Sequence, residues 1–456
     1  MHDHLLTRGW HALTCGGHAL TRGGTVLTRG GNVLTRGGTA LTRGGGAVPT
    51  HPPARGMTPP GRFHRDRVTW LAYGALCLFA YFEVSPGPVM PYLREELRLD
   101  YTTAGLYLVA FPAGALVTGF LAGRVERRLG RRRMLWTGVL GAAAGAVALT
   151  LGRQVAATLA ATLAMGVFAT LILVVVEAAL ADHHGERRAV AFGESNTLTS
   201  LVYTLAPLSV TGAVAAGPGW RAALVAAALA GAALWLAGRH VPIPDGRPVP
   251  AIGGEADQPG GRAAREMLPA AFWLVCAVLA CGVAVEWCIG FWGAPFLHDV
   301  VGLPTGTAVA VMSVYYVAMT AGRAAGSVVA RWHPPRRLLW VALGATAAGV
   351  AVFWTAGGPV PAVAGLLVAG LGVANLYPLS LAVGMAVVPD RSGLASARFA
   401  VAGSLAALAG PLGIGRLADA GGIRAALAVV PALVLVAAVA LAAGGLERRR
   451  SRAGVA

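Results

Sequence analysis

Five charged side chains stand where charge is expensive. Glu83, Glu177, Glu286, Arg323 and Arg398 each lie inside a long apolar run rather than in the turns that separate such runs. Ionisable groups at such positions usually face a water-filled cavity or a polar partner, and they mark pathways for solutes and ions. Glu83 comes roughly fifteen residues into its run, a rise of about 22 Å at helical pitch. Glu286 holds the corresponding level of a second run about two hundred residues later. The two carboxyls can therefore face one cavity and bind a solute or a proton, with structural hydrogen bonding as the alternative. A carboxyl in such surroundings can exchange protons near neutral pH as a cavity alternates between two sides.

Glu177 follows Val174-Val175-Val176 near the end of its run, where it is either a third proton or substrate group or the partner of a loop cation such as Arg188. Arg323 and Arg398 can hold an anionic group or an acid, act in gating, or snorkel to the boundary. Asn375, Tyr315 and Trp287 complete the binding candidates, and Glu194, Asn196, Tyr203, Tyr316 and Trp292 are softer ones. Tyr and Trp serve equally as interfacial anchors. His183-His184, beside Asp182 and Glu186, lacks a third ligand at metal spacing and reads as a solvated loop. The chain has no Lys, so a phosphate-binding Gly-x-x-x-x-Gly-Lys loop is excluded. No catalytic constellation, metal site or cofactor site is expected.

The elements that carry these residues are set by composition. The 456 residues are 56% apolar and only 12% charged, too apolar for a water-soluble enzyme. Runs long enough to cross about 30 Å of hydrocarbon fall at 68–93, 101–123, 133–152, 156–181, 192–216 and 220–238, then at 268–297, 304–330, 337–356, 359–388, 393–418 and 423–445. Such runs, without ten-residue alternation, point to helices rather than a closed barrel. The expected fold is an all-α polytopic membrane protein of twelve transmembrane helices in two six-helix bundles, 68–238 and 268–446. A Pro/Gly-rich linker, 239–267, separates them, and residues 447–456 form a cytoplasmic tail.

Residues 1–67 differ from the rest. Leu-Thr-Arg-Gly-Gly recurs every seven residues, with too many Gly for a coiled coil. This tail is read as disordered low-complexity sequence or as translated repetitive DNA upstream of a start at Met57, a basic arm for lipid or a partner being the alternative. It lacks the apolar core and cleavage pattern of a signal peptide. Cys77, Cys276, Cys281 and Cys288 lie in apolar runs and read as buried hydrophobes.

The formal charge of +17 invites a nucleic-acid reading. Its distribution argues otherwise. With both termini placed inside, twenty Arg outside the tail fall in inner loops and the carboxyl end, against only Arg94, Arg98, Arg153, Arg221, Arg416 and Arg424 outside. Positive charge marks the cytoplasmic side, so the charge reports topology, with both termini in the cytoplasm and the chain in the plasma membrane. The partners expected are the lipid bilayer, a small solute and protons, with no nucleic acid and a monomeric state.

An internal repeat supports the two halves. Phe82-Glu83-Val84-Ser85-Pro86-Gly87 with Pro91-Tyr92-Leu93 is matched by Val285-Glu286-Trp287-Cys288-Ile289-Gly290 with Pro295-Phe296-Leu297. Gly119-Phe120-Leu121-Ala122-Gly123-Arg124 is matched by Gly326-Ser327-Val328-Val329-Ala330-Arg331. Parallel repeats about a pseudo-two-fold axis are a transporter architecture.

The stretch from Gly119 through Arg124, Glu126, Gly130 and Arg131 to Leu135 resembles the Gly/Asp/Arg-rich loop between helices two and three of the major facilitator superfamily. Gly219-Trp220-Arg221, Gly370 to Asn375-Leu376-Tyr377-Pro378 and Gly410 to Asp419 are similar to further pieces of that family. The resemblance implies secondary transport by alternating access and a gating loop that latches the inward side. Gly123 stands where the family has Asp, and Glu126 is placed to supply the missing carboxylate. The Asn375 stretch and the intramembrane acids are similar to the fucose permease-like branch, which implies proton and substrate handling by acids in helices one and four, here Glu83 and Glu177. The function expected is a proton-coupled carrier of a small solute. An exporter or facilitator of drug-like or metabolite compounds, or a non-transporting sensor or scaffold, are the alternatives.

Overall fold

A computed structural model describes residues 64–243, 268–388 and 392–453. The described residues from Arg65 onward belong to one compact unit. The repetitive tail as far as residue 63, Met57 included, most of the linker, Arg391 and the last three residues lie outside the described residues.

The described chain is helical: α1 (Arg67–Val84), α2 (Pro86–Leu97), α3 (Tyr101–Leu151), α4 (Val155–His184), α5 (Arg188–Ala215), α6 (Trp220–Gly238), α7 (Ala270–Asp299), α8 (Thr305–Val329), α9 (Pro335–Trp354), α10 (Pro359–Val373), α11 (Leu376–Met385), α12 (Ser392–Ala426) and α13 (Val429–Ala453). Ten stretches among the described residues are helical, long and apolar enough to cross a membrane, and Val429–Gly444 is a shorter apolar helix. The protein is an all-α, multi-pass integral membrane protein. Its outer surface agrees: Val360, Leu229 and Leu435 are each at least 65% exposed, which lipid accommodates and water does not.

Local sequence explains the breaks. Asp66 caps α1 by accepting the Thr69 N–H at 2.9 Å, and Pro86, which lacks an N–H, opens α2 directly after Ser85. The run expected at 68–93 is therefore two helices forming one 31-residue stretch. Partial burial opposes ionisation of Asp66, yet the Thr69 backbone and hydroxyl donors and the neighbouring His183 hold its carboxyl below the ordinary value.

The runs expected at 101–123 and 133–152 are joined in α3, 51 residues long. At 1.5 Å per residue such a helix would be about 77 Å, more than twice the hydrocarbon thickness. Gly130 breaks it, with φ 74° and ψ 160°, a conformation essentially restricted to glycine. Gly422 repeats this device in α12, with φ 79° and ψ 160°. The run expected at 359–388 divides at Ala374-Asn375 into α10 and α11.

Within residues 67–238, α3 packs on α4 and α6, and α1 on α4 and α5. Within 270–453, α7 packs on α11, α12 and α13, while α10 packs on α8 and α9. The two groups meet where α3 contacts α12, α5 contacts α8 and α2 contacts α7.

Candidate functional site

Between these groups, α1, α5, α7 and α8 enclose a pocket of about 80 Å³. Glu83 and Glu286 both line it, so the two carboxyls singled out by position do share a cavity. Glu83 accepts a hydrogen bond from the Tyr203 hydroxyl of α5. Glu286 accepts one from Arg323 Nη2 of α8 at 3.2 Å, an ion pair whose members are each only about 30% exposed. Trp287, Phe291 and Tyr316 form an aromatic wall, with the Trp287 and Phe291 ring centroids 5.1 Å apart and those of Tyr203 and Tyr316 6.2 Å apart.

Two larger chambers adjoin the pocket through shared residues. One of about 920 Å³ includes Tyr203, Glu286, Trp287 and Arg323 and extends past Asn375 and Ser327 to Ala330 and Pro335. The other, of about 570 Å³, includes Glu83, Tyr203, Asn196 and Glu177. They reach the beginning of α5 and the end of α8, the end of the bundle that carries the Arg-rich connections.

The opposite end is closed. The Tyr101 hydroxyl donates to Asp299, which also takes Arg94 Nη1 at 3.3 Å. Asp419 of α12 accepts the backbone N–H groups of Tyr101 and Thr102, both at 2.8 Å. A carboxylate here meets the unpaired donors and positive dipole end of α3. Thr305 donates to Glu95 at 2.8 Å, and Thr211 to the Gly306 carbonyl at 3.3 Å. All of these bonds join the first helical group to the second. Beside them, Arg221 holds Glu96 through two bonds of 2.8 and 2.6 Å and Thr150 O at 2.9 Å, tying α6 to α2 and α3.

Other candidates fall elsewhere. Tyr315 is fully buried behind the pocket wall, its hydroxyl 3.4 Å from the Glu286 carbonyl, and the adjacent Tyr316 takes the cavity position. Trp292 is also fully buried, its Nε1 donating to Pro411 O at 3.0 Å. Glu194 is held by Arg65 at 2.5 Å and Tyr73 at 3.0 Å, outside the pocket. Asn375 donates to Gly322 O at 2.8 Å while lining the large chamber. Glu177 faces its chamber and forms no ion pair with Arg188 among the described residues. Arg398 is exposed and lines none of these three cavities. His183 meets Asp66 at 2.8 Å and His184 meets Thr69 at 2.9 Å, an arrangement that ties α4 to the start of α1.

At the α3 break, Arg131 is 2% exposed, with Nε 2.8 Å from Glu126 and Nη1 2.6 Å from Asp182. Glu126 thus stands as the carboxylate beside the Arg of this loop, where Gly123 has none. Arg124 is exposed, and Gly119 is buried in α3. Sequence reasoning missed Asp299, Phe291 and Met319. Asp299 had a readable signal, since acids are scarce and it lies just past the 268–297 run; the other two are indistinguishable from core residues.

A bundle of apolar helices around a chamber lined by charged and aromatic side chains, with ion pairs and hydrogen bonds joining the two helical groups at one end, is the architecture of a membrane carrier. The model of the Major Facilitator Superfamily matches residues 70–372, and the chain belongs to that family. Its fold is that of the family's secondary transporters. No curated protein matches the chain. Among solved structures, a bacterial homologue of the human lysosomal transporter Spinster, inward-facing and occupied, is 16% identical, covering 84% of this chain and 98% of its own, with a TM-score of 0.65. A mutant of the nucleoside transporter NupG is 15% identical over 83% of this chain and 100% of its own, with a TM-score of 0.67. A D-xylose-proton symporter is 14% identical over 82% and 96%, with a TM-score of 0.63. At such identities the likeness concerns the fold.

Proposed function

We propose that the protein is a proton-coupled secondary transporter of a small solute, working by alternating access. The observation that carries this reading is the convergence of Glu83 and Glu286, from equivalent places in the internal repeat, on one pocket. Counting α1 with α2, and α10 with α11, as single crossings and α3 as two gives twelve spans. They form bundles over 68–238 and 268–446, joined by a cytoplasmic linker over 239–267. The Arg excess places both termini in the cytoplasm of a plasma-membrane protein, so the chamber faces inward in this conformation. The carrier acts as a monomer and does not engage nucleic acid. The fucose permease-like likeness is kept for the branch, with Glu83 and Glu177 as its paired acids.

In the cycle, a proton taken at Glu83, Glu286 or Glu177 changes the affinity for solute. The bundles then rock about the pocket, parting the Asp299 and Asp419 contacts at the outer end and closing the Arg-rich end. Glu126, Arg131 and the Gly130 break stabilise the inner end, with Arg124, Gly119 and Arg398 as further gating or structural residues. Arg323 holds Glu286 in place. Proteoliposomes carrying an imposed proton gradient, screened with sugars, organic acids, amino acids and common drugs, test this reading. Gradient-dependent accumulation that Glu83→Gln and Glu286→Gln abolish is expected. Flux indifferent to the gradient and to both variants would remove the proton coupling, and absence of flux for every solute would favour a sensor or scaffold.

A further inference from the structure

The chamber's charges and walls narrow the solute. Three carboxyls, Glu83, Glu177 and Glu286, line the pocket and its two adjoining chambers, and Arg323 is the one cation among their lining residues. That guanidinium is already engaged by Glu286 at 3.2 Å. Glu83 is bonded only to a neutral donor, the Tyr203 hydroxyl, among the described residues. An anionic solute entering this space would meet uncompensated carboxyls and a cation whose charge is in use. A polyol would find the hydroxyls of Ser200, Tyr203 and Thr320, but the Val84, Trp287, Phe291, Tyr316 and Met319 side of the wall suits an apolar group better than a fully hydroxylated one. An organic cation meets the opposite situation: a carboxylate to pair with and aromatic rings that attract positive charge through their quadrupoles.

Resting on the carrier reading above, we propose that the transported solute is a small amphipathic organic monocation. Its charged head sits beside Glu83 among the rings of Tyr203, Trp287 and Tyr316, and its apolar body extends into the large chamber that Tyr203 and Trp287 also line. One uncompensated carboxyl at the pocket sets the solute charge at one. Glu177, in the adjoining chamber with Asn196, draws the cation in without forming the bound contact.

Three aromatic probes of different charge test the assignment on the purified full chain by calorimetric titration: phenyltrimethylammonium, benzenesulfonate and phenyl β-D-glucoside. The cation should bind at least about tenfold more tightly than the other two, because a charge-assisted contact in a desolvated site is worth a factor of that order. Glu83→Gln should remove that preference and Trp287→Leu should weaken the cation alone, while Glu177→Gln should change binding much less than Glu83→Gln. Elution and helix content of each variant establish that it is folded. Equal or tighter binding of the sulfonate or glucoside, cation binding unchanged in Glu83→Gln, or no binding of the cation would overturn the proposal. Parallel flux measurements separate the two readings. Proton-driven uptake of a sugar or organic anion would defeat the cation assignment and leave the carrier standing, whereas cation binding without any flux would defeat the carrier reading and leave the site.

Discussion

At the residue scale, the charges within the helices divide by what they touch: Arg131 closes a contact between helices, whereas Glu83 and Glu286 line the pocket. Arg131 is almost fully enclosed and pairs with the buried Glu126 as well as the half-exposed Asp182. Removing one member of a buried pair leaves the other charge uncompensated, which typically costs about 3–5 kcal/mol. Arg131→Ala should therefore lower the unfolding temperature of the detergent-solubilised protein markedly, whereas Asp182→Asn, whose side chain is 47% exposed, should lower it far less. Equal effects of the two would contradict the assignment of Glu126 as the principal partner. Glu83 and Glu286 were legible in the sequence because charge inside an apolar run is rare and their repeat positions coincide. The aromatic neighbours were only partly legible. Trp287 and Trp292 lie five residues, about 140°, apart around α7, and Tyr315 and Tyr316 one step of about 100° apart around α8, but no apolar periodicity distinguishes cavity from core when a helix is buried on several sides.

At the element scale, single glycines set where the two longest helices bend. Gly130 and Gly422 adopt backbone angles that a Cβ disfavours by about 1–3 kcal/mol. Gly130→Ala and Gly422→Ala should each destabilise the protein by that order in thermal or denaturant unfolding. Gly344→Ala in α9 is the control: no atom lies within 4 Å of an added Cβ and its φ is not positive, so it should be neutral or stabilising by about 0.5–1 kcal/mol. Comparable losses at all three would show that the kinks are not specified by these glycines. Helix positions were readable from hydropathy, since a run of twenty apolar residues has few other fates. Helix ends were not: residues 124–132 read as a charged connection, yet helical backbone runs through them on both sides of the Gly130 break. The outer bonds at Asp299 and Asp419 were hidden for a different reason. Each joins residues about two hundred or more apart in sequence, and pairing at that range depends on tertiary packing rather than local pattern.

At the scale of the whole molecule, the proposed cycle requires the chamber end and the bonded far end to exchange accessibility. Single cysteines replacing Ser327 in the large chamber and Thr211 at the closed end, in a background without the native cysteines, should react oppositely with a membrane-impermeant thiol reagent. Ser327→Cys should label from the Arg-rich side. Thr211→Cys should stay protected until Asp299→Ala and Asp419→Ala remove the outer bonds; unchanged protection would deny those carboxylates a gating role. Alternation alone does not establish coupling, which rests on the pocket. The most direct test is uptake into proteoliposomes under an imposed proton gradient, comparing wild type with Glu83→Gln and Glu286→Gln. Accumulation that collapses with the gradient and falls at least about tenfold in the variants, a loss of 1.4 kcal/mol or more in transition-state stabilisation, is the predicted result; accumulation that ignores both the gradient and the two substitutions would contradict it.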